Sequence, residues 1–460
     1  MKYTLSEELF KQTYVDSNNK IRHKTGSRIK LFPYITNKAA DPITDLEAIT
    51  GRIISLIEGV QIPKIILDDM ITELEKNTKV PVGYEEVFKR LITTIYFTPD
   101  GNIRPLNLKL LEASRDVDST EKKLAEYIAS TLGEKSILKE AIKTAHYNSN
   151  KNSNVLENMI FSSISKDVSD IEGDAYFRIT ESLKEKFNED FEFLMSNEKL
   201  IKEHLVQLLE FYYFSYTAQA VMNLERYFEG NRKETVPLFF SLDWEKTSLS
   251  RRCYTEGWMK LQEAINKLFA HVVVLDFLNL TPEEFPMVDY IELRNIVDGD
   301  IEVADEMAKE VSKITDLYRE YIQDCSQMKD LERDPEKIGD FEAEVRFLFK
   351  SVKTQFEYAR SGPYKAYAKK FSAYCDKFLK NRGRSGMMLT LTEEMLLFLT
   401  KISIKNHDRL RLKDVFEEFR LRGVYLDDAS KDEITAYYEK LNLIEKKSDS
   451  GDAKYVKRIL

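Results

Sequence analysis

Asp243 and Glu245 in SLDWEK, beside Lys246, and Asp276 in VVVLDF are the residues of this chain whose types could support hydrolysis. DNA cleavage commonly uses two or more carboxylates converging on Mg²⁺, often with a lysine, at strand ends. Arg251 and Arg252, a few residues on, could hold a phosphate. The chain has 78 acidic residues, so some pair will always fall beside an apolar run. A metal-dependent nuclease built on Asp243, Glu245 and Asp276 is therefore an alternative expectation, and absence of catalysis is the leading one.

Other chemistries lack their motifs. There is no GxxxxGK[ST] loop to cradle nucleotide phosphates, and Gly26 in HKTGSRIK has no partner glycine. Cys253, Cys325 and Cys375 lie far apart, as do His23, His146, His204, His271 and His407, and neither HExxH nor CxxC occurs. No GxSxG elbow is present. Neither a metal nor a cofactor is expected. Trp244, Arg251, Arg252 and Trp258 are then read as residues that knit the central fold or anchor a partner protein, since Trp and Arg dominate such contacts.

The elements that must position these residues are mostly helices. The 460 residues suit two or three domains, and 43% hydrophobic with 11% aromatic content is enough to build their cores. MKYTLSEELFKQTY has no apolar run of signal-peptide length, and FYYFSYTAQAVMNL, Phe211 to Leu224, falls short of the ~20 residues of a bilayer helix. A cytoplasmic protein without membrane contact is expected.

Helical periodicity runs through EKKLAEYIASTLGEKSILKEAIKTAHY until NSNKNSN, so 148–154 is expected to be a loop and a domain boundary. EKLIKEHLVQLLEFYYFSYTAQAVMNLERYFEG predicts a helix of about thirty residues, roughly 45 Å long, apolar on every side at its aromatic middle and therefore buried. PLFFSL and HVVVLDF are short, β-rich and bounded by breakers, which predicts strands or buried extended segments. The expected organisation is 1–150, mostly helical; 151–376, a long-helix domain with short strands near 237–280; 377–390, a basic connector; and 391–460, a terminal module.

In that module TEEMLLFLTKI, RLKDVFEEFRLRG and SKDEITAYYEKLNL read as three helices, with Thr390/Glu393 and Ser430/Glu433 as capping boxes. A hairpin follows, turned by SDSGD. Three helices and a hairpin are the layout of a winged helix-turn-helix. The fold class expected is thus mainly α, a multi-helix body with a few short strands and a C-terminal winged helix.

Charge divides along the chain. Of the net −9, residues from 377 onward carry +4, leaving −13 for the rest. The third helix carries Asp432, Glu433 and Glu439, which phosphates repel, whereas Lys446, Lys447, Lys454, Lys457 and Arg458 on the wing could each pair with a phosphate. With Arg382 and Arg384 of the connector they form the expected DNA contact, to the backbone of double-stranded DNA and without sequence reading. A winged-helix regulator reading an operator through the third helix is a further alternative.

Three stretches together, HKTGSRIKLFPY, PLFFSLDWEKTSLSRRCYTEGW and the tail from TLTEEMLLFLTKI to the end, resemble the DptG (DndG) family of phosphorothioation-dependent restriction proteins of bacteria. The resemblance implies membership of a complex with DptF- and DptH-type subunits that attacks DNA lacking the sulfur-for-oxygen backbone modification. It attributes the ATPase and helicase-like activities to those partners, and implies an anti-phage role.

Overall fold

A computed structural model describes residues 2–24, 26–37, 41–62, 65–77, 80–113, 117–152, 156–158, 160, 169–446 and 454–459. Most of them are helical, and the strands are few and short. Among the described residues no helix is long and apolar enough to cross a membrane. The chain folds as two units, one of residues 1–44, 176–182 and 215–460, the other of 45–175 and 183–214. The chain passes from the second of these to the first within the helix Glu198–Glu225.

The smaller unit is built around the helix Glu47–Glu58, whose Ile49, Ile53, Ile54, Leu56 and Ile57 are buried. Gly51 lets the short helix Leu108–Glu112 approach, since a Cβ there would overlap the carbonyl oxygen of Leu111. Ser119–Thr131 begins with a complete capping box, the Asp118 carboxylate accepting from Thr120 and Glu121 while Glu121 reaches back to the Asp118 amide. Helix Lys135–Asn152 takes in residues 148–152 of the polar tract expected as a loop, and 153 and 154 lie outside the described residues. Asn and Ser are weak helix formers, but their intrinsic cost over a few residues is small enough for packing of the preceding turns to override it.

The larger unit packs helices Tyr290–Val297, Ile301–Tyr321, Phe341–Tyr358 and Ser361–Cys375 with Met259–Leu278. That last helix contains HVVVLDF, so the expected strand is a helix. Every residue from Leu268 to Leu278 is buried, and β-branched residues are tolerated where all sides of a helix pack, because tertiary burial outweighs a propensity difference of under ~1 kcal/mol per residue. PLFFSL does contain a strand, Ser241–Leu242, parallel to Met387–Leu391. Met387–Leu391 also pairs antiparallel with Leu379–Asn381, so the stretch expected as a connector is a β-hairpin.

After the hairpin come helix Glu393–Ile404, strand Arg409–Arg411, helices Leu412–Leu421 and Asp428–Lys440, and strands Ile444–Lys446 and Lys454–Lys457. The three strands form one antiparallel sheet with Lys454–Lys457 in its middle. Helix starts differ from the expected boxes. Thr392, not Thr390, caps the first helix through Met395 N, and Thr390 lies in a strand. Asp427, not Ser430, caps the third through Ser430 N. An N-cap must be extended and directly precede the first helical residue: Thr390 is extended but stands two residues too early, within the strand, and Ser430 is already inside its helix.

Candidate nucleic-acid interface

The terminal sheet has two chemically distinct faces. Its register sets Arg409 opposite Lys457, Arg411 opposite Tyr455, and Tyr455 opposite Glu445. Side chains alternate along a strand, so these five share one face, while Leu410, Val456 and Ile444 share the other and pack inward, Val456 being fully buried. Arg411 and Lys457 are exposed, and Lys457 Nζ donates to the Asn442 carbonyl at 3.2 Å. Arg409 Nη1 donates to Glu445 Oε1 at 2.6 Å, and its guanidinium lies 5.1 Å from the Tyr455 ring centre. The face thus presents three cations, one carboxylate and one aromatic, with exposed Arg458 next in sequence.

Of the residues expected to hold DNA, Lys457 and Arg458 lie here. Lys454 is half-buried on the middle strand and donates to Glu439 Oε1 at 3.2 Å. Lys446 ends its strand opposite Lys454, its side chain outside the described residues, as is Lys447. Arg384 is exposed on the turn of the 379–391 hairpin. Arg382 is bonded within the chain: its guanidinium donates to the carbonyls of Leu242, Asp243 (3.2 Å) and Glu245 (3.0 Å) and to Ser241 Oγ (3.3 Å). Carbonyls along a short strand that lacks a second neighbour need donors, and Arg382 supplies them. Arg409 and Arg411 are not among the sequence candidates; the alternation Arg-Leu-Arg before the second helix is the signal that could mark them.

The third helix presents a mostly acidic outer face. Its inner positions Ser430, Ile434 and Tyr438 are fully buried, while Asp428, Asp432, Glu433 and Glu439 are exposed with Lys440. Its N-terminus is held by the 235–258 segment. Arg251 donates to both carboxylate oxygens of Asp427, 2.7 Å to Oδ2 and 2.5 Å to Oδ1, and to Ser430 Oγ at 3.0 Å. Glu245 joins the same guanidinium and accepts from Ser430 Oγ at 2.9 Å. Trp244 packs on Tyr437, ring centres 4.8 Å apart. Main-chain bonds from Phe240 N to Tyr425 O (2.9 Å) and Tyr425 N to Leu238 O (3.2 Å) continue the attachment. Burial alone would raise the Asp427 carboxyl, but its bonds to Arg251 and Ser430 N hold it below the usual range.

The same segment accounts for the remaining candidates. Trp258 is buried, and Arg252 bonds both oxygens of Glu256 (2.8 and 3.0 Å) with its guanidinium 3.8 Å from the Phe239 ring centre. Trp244, Arg251 and Arg252 have partners within the chain, and Trp258 is buried. The three carboxylates do not converge. Asp243 pairs with Lys380, Glu245 with Arg251 and Ser430, and Asp276 accepts the backbone amides of Ser27 (3.3 Å), Arg28 (2.9 Å) and Ile29 (3.1 Å). Burial pushes the Asp276 carboxyl up to about 6 against the lowering effect of those amides. Among the described residues, the one group of three carboxylate, imidazole or thiol ligands within metal-binding reach contains none of them.

Compared with protein-family models and with curated proteins, the chain matches none.

Proposed function

We propose that residues 391–460 form a winged helix-turn-helix that grips double-stranded DNA through its wing, and that the chain is a non-catalytic, cytoplasmic subunit of a bacterial phosphorothioation-dependent restriction complex. The observation that carries the DNA half of this reading is the sheet face of Arg409, Arg411, Tyr455 and Lys457. The order of helices and strands supports the winged-helix assignment. Exposed guanidinium and ammonium groups on a strand ladder pair with successive phosphates and release counterions, which gives affinity without base recognition. The acidic outer face of the third helix supports the same conclusion, because its carboxylates would repel the phosphates flanking a groove.

The restriction assignment rests on the resemblance of the three quoted stretches to the DptG family. Two of them are structural determinants here: the GSRIK segment is pinned by Asp276, and the 237–258 segment holds the terminal module. In such a complex the negatively charged remainder would dock DptF- and DptH-type subunits, which would bring the ATP chemistry. Co-expression with those subunits tests it: a complex that co-purifies is expected, together with no ATP or DNA hydrolysis by the chain alone. A monomer that associates with neither, or Mg²⁺-dependent cleavage abolished by Asp243→Ala, would reject it in favour of an unrelated role or of the nuclease.

A further inference from the structure

Three helices of the smaller unit bring Glu58, Glu112 and His146 together. Glu58 is the last residue of Glu47–Glu58 and Glu112 the last of Leu108–Glu112; His146 lies within Lys135–Asn152. His146 Nε2 is 3.0 Å from Glu112 Oε1 and 3.6 Å from Glu58 Oε2, and one donor atom of each residue lies within 4.8 Å of the others. The Glu112 side chain is wholly buried; its Oε2 has no hydrogen-bond partner, and for Oε1 the imidazole nitrogen is the neighbour.

This is an expensive arrangement for protein groups alone. A buried carboxylate oxygen without a donor costs free energy, and both glutamates stand at helix C-termini, where the backbone dipole disfavours an anion. Positive charge reaches the cluster from His146 itself and from Lys139 beside Glu58 and Lys109 beside Glu112, and an ion between the donors would add to it while meeting the unpartnered Glu112 oxygen. Nitrogen and oxygen ligands at about 2.0–2.2 Å from a common ion stand roughly 3.0–3.5 Å apart, which is close to the two separations from His146. Two carboxylates neutralise a divalent ion, and an imidazole nitrogen in the set favours zinc-class ions over magnesium or calcium.

We propose that Glu58, Glu112 and His146 form a site for a divalent transition-metal ion of the zinc class, bound by the imidazole Nε2 and one oxygen of each carboxylate. His146 and Glu58 side chains keep 12% and 16% of their exposure, so the cluster is not sealed from solvent. Bound metal ties together three helices far apart in sequence, and its binding free energy adds to the stability of this unit.

The test uses the full chain, stripped with a chelator and titrated with Zn²⁺ against a chromophoric competitor, with Co²⁺ spectra as a second readout. One equivalent is expected to bind and raise the unfolding temperature. Affinity should fall at least tenfold in Glu112→Gln and in Glu58→Gln. Should Glu112→Gln fail to fold, Glu58→Gln at a partly exposed helix end still makes the comparison. Absence of stoichiometric binding, or affinity equal to wild type in the folded variants, would overturn the proposal and leave a protonated His146 bridging the two glutamates.

Discussion

Arg251 and Asp427, 176 residues apart, meet in a bidentate ion pair that joins the central segment to the N-cap of the third terminal helix. With Glu245 and Ser430 they form a closed network in which the Glu245 side chain keeps 2% of its exposure and Asp427 11%. Removing the guanidinium leaves two carboxylates without their cation, so Arg251→Ala is expected to lower stability by about 3–5 kcal/mol. Thermal unfolding and hydrogen exchange over Asp428–Lys440 would check this; an unchanged unfolding temperature and unchanged protection would contradict it.

Arg382 separates a structural arginine from a DNA-binding one. Arg382→Ala deprives three carbonyls and a hydroxyl of their donor and should cost about 1–3 kcal/mol, with the slope of DNA affinity against salt unaltered. Differential scanning calorimetry beside a salt titration measures both, and a shallower slope at full stability would reverse the assignment.

His23 gives the larger unit a dependence on acid. Burial, reinforced by the Arg360 guanidinium 3.2 Å from Nδ1, lowers its pKa to about 3 from an ordinary 6.5. The unfolded chain takes up a proton below about 6.5 that the folded one refuses until about 3, so the stabilisation is complete above pH 6.5 and is lost progressively on the way down. His23→Phe, a ring of similar size that can keep the contact with Phe356, should flatten stability between about pH 6.5 and 4 in denaturant titrations. A wild-type slope in that variant would show that other groups set the dependence.

How much of the fold is legible in the sequence follows from how local its causes are. Helices at 341–358 and 301–321 announce themselves through apolar spacing, and the order of the terminal elements follows from turn residues such as Gly423, which adopts φ 82°. The segment 271–277 misleads because a β-branched run reads alike in a strand and in a helix buried on all sides. Long-range pairings are out of reach: nothing near Arg382 signals carbonyls 137–140 residues away, and the spacing of Glu58, Glu112 and His146 matches no metal motif. The cationic sheet face is half visible, since Lys457 and Arg458 stand in the expected hairpin, whereas Arg409 and Arg411 join it only through a strand that precedes the second helix.

Each phosphate that the sheet neutralises contributes about −0.9 to the slope of log affinity against log salt. The decisive measurement is that slope on double-stranded DNA of several sequences, for the wild type and for a chain with Arg409, Arg411, Lys457 and Arg458 all changed to Ala. A drop of about three to four in slope magnitude, equal across sequences, is expected. An unchanged slope, or a loss confined to one preferred sequence, would contradict a DNA grip through this face.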